Sequence, residues 1–307
     1  MASASPLATI GFIGLGNMGW PMAACLHRAG FVVLVADSRR EVALNFVQQV
    51  GGDAPDTVRA LAAQCDIVVT MLPTSAIVNR VVATDDDCVL AGLRPGSIVV
   101  DMTSGVPSET QAIAARVAEL GSTLIDAPVS GGVPRARTGQ LAIMVGGDAA
   151  AIDRAEPVLQ AMGSSVLRTG KVGSAHAMKA LNNLVSTGGF IIGIEALLVG
   201  QRFGLDPSVM VDVLNAATGM NNSTQKKFKQ FVLSRSFDSG FALDLLIKDL
   251  SIALQVARET GTPVPMSSLV RELSLAAQAM LEPGADHTAI AQVSERLAGD
   301  ELGNGRA

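Results

Sequence analysis

Lys179 stands near the start of a long, almost uncharged stretch, in the segment Gly173-Ser-Ala-His-Ala-Met-Lys179-Ala-Leu-Asn182-Asn183. An ammonium group on an apolar helix is costly to bury unless it is paired or used. Asn183 follows four residues later and shares the helix face of Lys179, because the two lie only about 40° apart around an α-helix. Asn182 could share this role. We predict that both residues are catalytic: Lys179 transfers a proton, and Asn183 fixes the ammonium or the substrate hydroxyl without competing for that proton. The alternative for the asparagines is helix–helix hydrogen bonding.

A glycine pattern upstream provides the second chemical feature, Gly14-Leu15-Gly16-Asn17-Met18-Gly19. It follows a predicted strand and precedes a predicted helix. In such a turn the first glycine permits the tight turn, the second lets the backbone approach a pyrophosphate, and the third permits close helix packing. The helix N-terminus adds amide groups and a favourable dipole. We therefore predict a dinucleotide site at residues 14–19, the alternative being a structural turn.

Asp37 indicates which dinucleotide is bound. It ends the second predicted strand, 18 residues after Gly19. At this position a carboxylate accepts hydrogen bonds from a ribose 2′-OH and repels a 2′-phosphate, which favours NAD over NADP. Arg39 and Arg40 could reach a phosphate, so NADP stays possible. Otherwise they are a solvated pair that opens the next helix.

Ser130-Gly131-Gly132 also follows a predicted strand. It offers a hydroxyl and two unhindered backbone N–H groups, a suitable cradle for a substrate carboxylate. The alternative is a glycine turn. A serine-hydrolase elbow is excluded because Pro128 occupies the place of the first glycine that such an elbow requires.

The elements that position these residues alternate between strands and amphipathic helices in the first half of the chain. Such alternation predicts a mostly parallel sheet covered by helices on both faces. Near-continuous Val, Ile and Leu in the strands agree with burial on both sides. The predicted strands are Ile10–Ile13, Val32–Ala36, Ile67–Met71, Ser97–Asp101, Thr123–Asp126, Leu141–Val145 and Ser165–Arg168.

After Gly173 the strand pattern stops, and one long helix over about 173–204 carries Lys179. Further helices are predicted at Pro207–Ala217, Thr224–Leu233, Leu246–Glu259, Pro265–Gln278 and His287–Leu297. The predicted fold class is therefore α/β: an N-terminal Rossmann-type doubly wound parallel sheet, joined by a long helix to an all-α C-terminal domain. We assign residues 1–170 to dinucleotide binding, and residues 171–307 to substrate binding and oligomerisation.

The composition of the chain argues against several classes of binding partner. Of the 307 residues 49 % are hydrophobic and 17 % charged, and the formal net charge is −5. These values argue against disorder and against nucleic acid or an anionic membrane as a partner. The apolar stretch Leu184–Val199 contains Ser186, Thr187 and Glu195, which favours a helix buried against protein over a membrane span. A helical domain this apolar is expected to form a homo-oligomer, a dimer or a tetramer.

Cysteine and histidine usage completes this picture. The three cysteines show no CxxC spacing, which indicates a reducing compartment. The histidines lack metal-ligand spacing, so no metal site is expected. The first nine residues lack the basic start of a signal peptide. We therefore expect a cytoplasmic protein.

The chain resembles the β-hydroxyacid dehydrogenase family, which includes 3-hydroxyisobutyrate dehydrogenases and tartronate semialdehyde (2-hydroxy-3-oxopropionate) reductases. The resemblance covers nearly the whole chain through motifs in the family's order. These are Gly14-Leu-Gly16-Asn-Met-Gly19, Met71-Leu72-Pro73, Asp126-Ala-Pro-Val-Ser130-Gly-Gly132, Gly139-Gln-Leu-Ala-Ile-Met-Val-Gly-Gly147, Lys179-x-x-Asn182-Asn183 and Lys248-Asp249-Leu250.

The resemblance implies a role for most of these positions. Lys179 would be the catalytic lysine and Asn183 its support, and Ser130, Gly131 and Gly132 would hold the substrate carboxylate. The same resemblance implies cofactor contacts at a further set of residues, which are Leu72, Pro73, Ser104 and, near the nicotinamide, Lys248. The expected reaction is NAD(P)-dependent interconversion of a small β-hydroxy acid and its semialdehyde, with Lys179 as general acid/base.

The physiological substrate stays open because the sequence cues conflict. Pro134-Arg135-Ala136 is similar to the tartronate semialdehyde reductases, whereas Thr103-Ser104-Gly105 and Thr218-Gly219 are similar to some 3-hydroxyisobutyrate enzymes. Gly139-Gln140-Leu141 departs from the common Gly-Thr-Leu. Two other hypotheses for the function of the chain are a non-catalytic Rossmann scaffold and an imine reductase on the same fold. Both are expected to lack this lysine.

Overall fold

A computed structural model describes residues 8–303. The remaining residues, 1–7 and 304–307, lie outside the described part, and with them most of the N-terminal segment on which the targeting expectation rests. The chain divides into two compact units, Met1–Lys179 and Ala180–Ala307. The predicted domain boundary follows residue 170, whereas the first unit extends to Lys179 and so includes the first turns of the long helix.

The first unit alternates strands with helices as the sequence predicts. Its strands are β1 (Thr9–Ile13), β2 (Val32–Ala36), β3 (Ile67–Thr70), β4 (Ile98–Asp101), β5 (Thr123–Asp126), β6 (Val129–Ser130), β7 (Leu141–Gly146) and β8 (Gly163–Gly170). Its helices are α1 (Gly19–Arg28), α2 (Arg40–Gln49), α3 (Val58–Ala62), α4 (Ser75–Asn79) with a π-helical turn at Arg80–Thr84, α5 (Val89–Gly92), α6 (Pro107–Glu119), α7 (Gly132–Thr138) and α8 (Ala149–Met162).

These strands form one sheet in the order β2-β1-β3-β4-β5-β7-β6, with β8 paired to β7. The pairs from β2 to β5 are parallel. Strand β7 runs antiparallel to β5 and β6 and parallel to β8. The predicted mostly parallel sheet is thus confirmed. The strand predicted at Leu141–Val145 is present as β7, its antiparallel direction was not predicted, and the short β6 is an additional strand.

The strand order locates the ligand edge of the sheet. From β1 the chain passes to β2 on one side and then to β3 on the other. Ligands of open α/β sheets bind beyond the carboxyl ends of the strands at such a reversal. The glycine turn after β1 and Met71-Leu72-Pro73 after β3 lie at this point.

Burial of the strands on both faces holds the first unit together. Phe12, Val35, Val69 and Val100 are almost completely buried in a core that lies partly beneath α1 and α8. A second core cluster includes Val68 and Val99, which alternate with Val69 and Val100 along the same strands and lie on the opposite face of the sheet. Alternate residues of the same strands therefore serve two cores, as a doubly wound sheet requires.

The long helix α9 spans Ser174–Phe203, close to the predicted 173–204. Within the described residues it is the one helix long and apolar enough to cross a membrane, and 44 % of its most apolar 18-residue window is buried inside the protein. The core helix of a soluble protein passes the same test of length and composition. These properties alone are therefore weak evidence for a membrane span.

The second unit is helical throughout its described residues. After α9 come α10 (Pro207–Ala216), α11 (Asn222–Lys226), a π-helical segment Phe228–Leu233, α12 (Leu243–Glu259), α13 (Pro265–Met280), a 3-10 turn at His287–Ala289 and α14 (Ile290–Ala298). Its core packs around a set of buried apolar side chains, which include Phe190, Ile194, Leu197, Phe228 and Leu250.

One predicted helix is divided in two. Instead of a single helix over Thr224–Leu233, α11 begins after Asn221, which caps it in a reciprocal capping box with Thr224. The α-helix ends at Lys226, the following residue Lys227 has φ −128°, and the chain continues as a π-helix. With this cap, α11 begins at Asn222, two residues before the predicted start at Thr224. The change of winding at Lys227 then interrupts the helix.

Candidate active site

The glycine turn after β1 has the sterics of a nucleotide-binding turn. Gly14 has φ +97°, in the region that favours glycine, and a side chain there would strike the carbonyl oxygen of Met71. A Cβ on Gly19 would strike the carbonyl oxygen of Gly14. Gly16 differs, because a Cβ there would meet nothing within 4 Å. The open space beside Gly16 is where a pyrophosphate could approach the backbone.

Asp37 joins the end of β2 to this turn. The backbone N–H of Leu15 donates to Oδ2 of Asp37 at 2.8 Å, and the N–H of Arg39 donates to Oδ1 at 3.0 Å. The Asp37 side chain is only 10 % exposed. The carboxylate therefore shapes the turn as well as standing where a ribose is expected. The nearby Asn17 is exposed and Met18 half-buried, with Leu15 buried beneath them.

The two arginines after Asp37 have different surroundings. The Arg40 guanidinium donates to the carbonyl oxygens of Pro55 and Ala54 and to Asp56. The Arg39 side chain is 65 % exposed, and its Nε lies 3.7 Å from Asp37 Oδ1. Arg40 is thus engaged by the loop after α2, which leaves Arg39 as the candidate for a 2′-phosphate.

The ends of β3 and β4 lie beside the glycine turn. The Leu72 N–H donates to Thr103 Oγ1 at 3.1 Å, and the Thr103 N–H donates to Asp101 Oδ1 at 3.1 Å. Leu72 and Ser104 are half-buried, and Pro73 is exposed. The structure therefore brings Leu72, Pro73 and Ser104 to the predicted edge of the sheet.

Ser130 ends β6, and the two glycines after it open α7. Gly131 has φ +132° and Gly132 has φ +68°, so both backbone conformations favour glycine. Both glycines are exposed and Ser130 is half-buried. Their backbone is thus accessible, as a cradle for a carboxylate requires.

Asp126, at the end of β5, caps the helix that carries Lys179. The N–H groups of Gly173 and His176 donate to its two carboxylate oxygens at 2.7 and 2.8 Å. Burial raises the pKa of the Asp126 carboxyl, while His176 and the two N–H groups act in the opposite direction. A carboxylate at a helix N-terminus is favoured by the orphan amides and the dipole. Asp126 therefore fixes where α9 leaves the sheet.

His176 belongs to the same buried group. Its Nδ1 lies 2.8 Å from the Thr110 hydroxyl, and its Nε2 lies 3.9 Å from Asp101 Oδ2. These contacts tie the first turn of α9 to α6 and to the end of β4. His176 thus acts structurally, one turn before Lys179. Within the described residues, no group of three or more His, Cys, Asp or Glu side chains could hold a metal ion.

Lys179 is half-buried in the second turn of α9, and Asn183 is buried one turn further along the same helix. In the second unit, the Asn183 amide donates to Asp249 Oδ2 at 2.6 Å. That bond orients the amide and leaves its oxygen as the acceptor, which also receives Asn182 Nδ2 at 3.3 Å. Asn183 is therefore held in one orientation instead of rotating freely.

Lys248 lies next to Asp249, and the two side chains form an ion pair at 3.5 Å. The Lys248 side chain is 25 % exposed, while that of Asp249 is 3 % exposed. Asp249 thus neutralises part of the Lys248 charge while orienting Asn183.

Sequence reasoning gave no role to Asp126 or Asp249. Both stand inside motifs that the sequence analysis singled out, one before Ser130 and the other after Lys248. An acidic residue inside each motif was the available signal. The partners of these acids lie 47 and 66 residues away, so pattern alone did not identify them.

Comparison with known proteins supports this description. Residues 9–170 match the model of the NAD binding domain of 6-phosphogluconate dehydrogenase, and residues 173–294 match that of the NAD-binding domain of NADP-dependent 3-hydroxyisobutyrate dehydrogenase. A 2-(hydroxymethyl)glutarate dehydrogenase from Eubacterium barkeri is 35 % identical over 97 % of this chain and 98 % of its own.

Two further relatives agree. A 3-hydroxyisobutyrate dehydrogenase from Pseudomonas aeruginosa is 36 % identical over 92 % of this chain and 97 % of its own. The solved structure of a Mycobacterium tuberculosis 3-hydroxyisobutyrate dehydrogenase with L-serine has a TM-score of 0.86 and 32 % identity, and it covers 94 % of this chain and 99 % of its own.

The doubly wound sheet and the glycine turn, together with these matches, define a nicotinamide-dinucleotide-dependent oxidoreductase. The chain belongs to the β-hydroxyacid dehydrogenase family. It is an NAD(P)-dependent dehydrogenase that acts on the hydroxyl group of a small hydroxy acid, as the sequence predicts.

Proposed function

We propose that this enzyme interconverts a small β-hydroxy acid and its semialdehyde with Lys179 as general acid/base and a preference for NAD. The observation that carries the proposal is the Asp126 cap, which fixes the start of the helix that bears Lys179. The Ser130-Gly131-Gly132 segment follows Asp126 by a few residues. Residues 126–132 therefore contain both the carboxylate that caps the helix of Lys179 and the proposed cradle for the substrate carboxylate.

The glycine turn at residues 14–19 and Asp37 would hold the dinucleotide, which would supply or accept a hydride at the reacting carbon. In the reduction direction, the Lys179 ammonium stabilises the growing negative charge on the carbonyl oxygen and donates a proton to it. In oxidation the neutral amine takes the hydroxyl proton. Asn183, oriented by Asp249, supplies an amide oxygen that can fix the lysine or the substrate hydroxyl without competing for the proton.

A substrate panel tests the proposed reaction. The compounds are 3-hydroxyisobutyrate, D-glycerate, L-serine, L-threonate, 3-hydroxypropionate and 2-(hydroxymethyl)glutarate, each with NAD and with NADP. We expect turnover of at least one compound, with the greater kcat/KM for NAD. Absence of turnover across the whole panel would contradict the proposal.

Asp37→Asn tests the cofactor preference. The asparagine keeps an acceptor for the Leu15 N–H but removes the negative charge that repels a 2′-phosphate. We expect the ratio of kcat/KM for NADP to that for NAD to rise by about tenfold or more, equivalent to about 1.4 kcal/mol.

Adding Arg39→Ala to Asp37→Asn is the matched control. If Arg39 receives the phosphate, the double variant should lose the gain in NADP use. An unchanged cofactor ratio in Asp37→Asn would show that Asp37 does not face the ribose.

We propose a homo-oligomer formed through an exposed apolar stripe on α9. The stripe consists of Val185, Ile192, Val199 and Phe203, which are 76, 61, 71 and 84 % exposed. Spacings of seven, seven and four residues place them on one side of the helix. Contiguous exposed apolar surface of this kind marks an interaction site.

Replacing both Ile192 and Val199 with aspartate is expected to convert the oligomer to monomers in light scattering coupled to size-exclusion chromatography. Buried unpaired carboxylates in an apolar interface carry a large desolvation cost. Leu44→Asp, at an exposed apolar position on α2, is the control and should leave the mass unchanged. A wild-type mass for the double variant would exclude the stripe as the interface.

We propose a cytoplasmic location. Cys25, Cys65 and Cys88 are all unpaired and buried, which supports a reducing compartment. Fractionation of cells that express the tagged full chain would test this, and recovery of the protein with membranes or outside the cell would contradict it.

A further inference from the structure

His176 places a buried imidazole at the start of α9, within the first unit of the chain. Its Nδ1 lies 2.8 Å from the hydroxyl oxygen of Thr110, and that oxygen lies 3.0 Å from the carbonyl oxygen of Val106. A threonine hydroxyl carries one proton, and a carbonyl oxygen can only accept. Nδ1 therefore carries the proton that is donated to Thr110, and His176 holds Val106 through the threonine.

The other ring nitrogen of His176 has no such partner. In the part of the chain that the structure describes, Nε2 is buried without a hydrogen bond. It faces Asp101 Oδ2 at 3.9 Å, while Oδ1 of the same carboxylate accepts the N–H of Thr103 and the hydroxyl of Thr70. Burying a polar atom without a partner costs free energy of folding. Packing alone is therefore a poor reason for an imidazole here, and its role lies in the contacts that it does make.

One of these contacts is with the loop that follows β4. A Cβ on Gly105 would lie 2.9 Å from the His176 ring carbon Cε1 and 3.0 Å from Nδ1, so the ring lies directly against this glycine. Gly105 is buried, and its φ lies outside the left-handed region. The closeness of the imidazole, together with the Ser75 hydroxyl at 3.2 Å, thus explains why a side chain would not fit at position 105.

The loop of residues 103–106 carries a predicted cofactor contact and is held at both ends. At its start, Thr103 Oγ1 accepts the N–H of Leu72 at 3.1 Å. At its end, the Val106 carbonyl oxygen accepts the hydroxyl bond that His176 supports. Ser104 lies between these two points and is half-buried, as is Leu72. The position of Ser104 at the edge of the sheet therefore depends on how the end of the loop is fixed.

We propose that His176 is a positioning residue for the dinucleotide, which sets the backbone of the 103–106 loop so that Ser104 contacts the cofactor. The imidazole fixes the end of the loop through Thr110 and by direct contact with the loop. This inference rests on the dinucleotide site of the proposed function. NADH binding without substrate tests it, so it stands or fails independently of the substrate class.

His176→Leu removes both ring nitrogens and keeps a bulky apolar side chain. We expect the Kd for NADH in calorimetric titration to rise about tenfold, the equivalent of one net hydrogen bond. In His176→Asn the amide nitrogen is attached to Cγ, as Nδ1 is, so a donor for Thr110 is kept and the Kd should stay within about threefold of wild type. Equal losses in the two variants, or no loss in His176→Leu, would overturn the inference.

Thr110 offers a matched pair for the same link. Thr110→Ser keeps the hydroxyl and should bind NADH as wild type does, whereas Thr110→Val keeps the shape, loses the hydroxyl and should match His176→Leu. Combining Thr110→Val with His176→Leu should add little to either loss, because both changes break one connection. Losses that multiply in the double variant would contradict a role of His176 through Thr110.

Gly105→Ala tests the contact between the ring and the loop. Its methyl group meets the imidazole, and we expect NADH binding to weaken by about tenfold or more. In Gly105→Ala combined with His176→Ala, the methyl group enters the space that the ring has left. The loss in this double variant should therefore be smaller than the product of the two single losses. A loss equal to that product, or larger, would show that the ring does not set the loop.

Two further readouts separate positioning from loss of stability. Every His176 variant keeps the backbone N–H that donates to Asp126, so the start of α9 is preserved and kcat at saturating NADH should equal that of wild type. A lower kcat with unchanged NADH affinity would overturn the inference. Ile152→Val is the control for stability, because Ile152 is buried in α8, which packs on β7 and β8. It should lower Tm and leave the Kd for NADH unchanged. If Ile152→Val weakens NADH binding as much as His176→Leu does, general destabilisation explains both and the inference fails.

Discussion

Lys179→Ala is expected to lower kcat by about 10²- to 10⁴-fold, the range that general acid–base catalysis contributes. The reaction would lose the group that donates a proton to the carbonyl oxygen in reduction and accepts the hydroxyl proton in oxidation. Alanine is the best helix former, so α9 should be preserved. Steady-state kinetics on the best substrate of the panel, with NADH binding followed by fluorescence, would measure both effects.

Two comparisons make this result specific. Lys171→Ala removes an exposed lysine just before α9 and should keep wild-type kinetics. The dissociation constant for NADH should be unchanged in Lys179→Ala, since the lysine acts on the substrate oxygen. Turnover at the wild-type rate in Lys179→Ala would refute the assignment of the general acid/base. Loss of NADH binding would show that the lysine serves the cofactor.

Gly16→Ala and Gly19→Ala are expected to fail for different reasons. A methyl group on Gly16 enters open space, so Gly16→Ala should keep the wild-type Tm. The same methyl group lies where the pyrophosphate must approach, and we expect NADH affinity to fall by about 10- to 100-fold, equivalent to about 1.4–2.8 kcal/mol. Calorimetric titration with NADH and thermal unfolding without nucleotide would measure the two quantities.

Gly19→Ala instead forces a methyl group against the carbonyl oxygen of Gly14. Overpacking of this kind costs about 1–3 kcal/mol, so we expect a lower Tm together with weaker NADH binding. The pair thus separates a glycine required by the ligand from one required by the fold. Unchanged NADH affinity in Gly16→Ala would mean that the pyrophosphate does not pass over this residue.

Much of this fold is predictable because its signals are local. Strands buried on both faces are recognised by continuous runs of Val, Ile and Leu. Helices are recognised by apolar residues that recur every three to four positions, without knowledge of any distant partner. The ends of the long helix α9 were therefore predicted to within one residue. The helix expected over Thr224–Leu233 was wrong in its continuity, because the chain changes from α-helical to π-helical winding at Lys227.

The sequence by itself determined the glycine turn, Asp37 at the end of β2, and the i, i+4 relation between Lys179 and Asn183. These features depend on residue type and short spacing, which local backbone geometry translates directly into structure. Only the tertiary structure decided that Asp126 caps α9, that Asp249 orients Asn183, and that Lys227 lies against Ser186. Each of these contacts joins residues at least 41 positions apart, and the burial of a charge depends on neighbours that chain packing alone brings together.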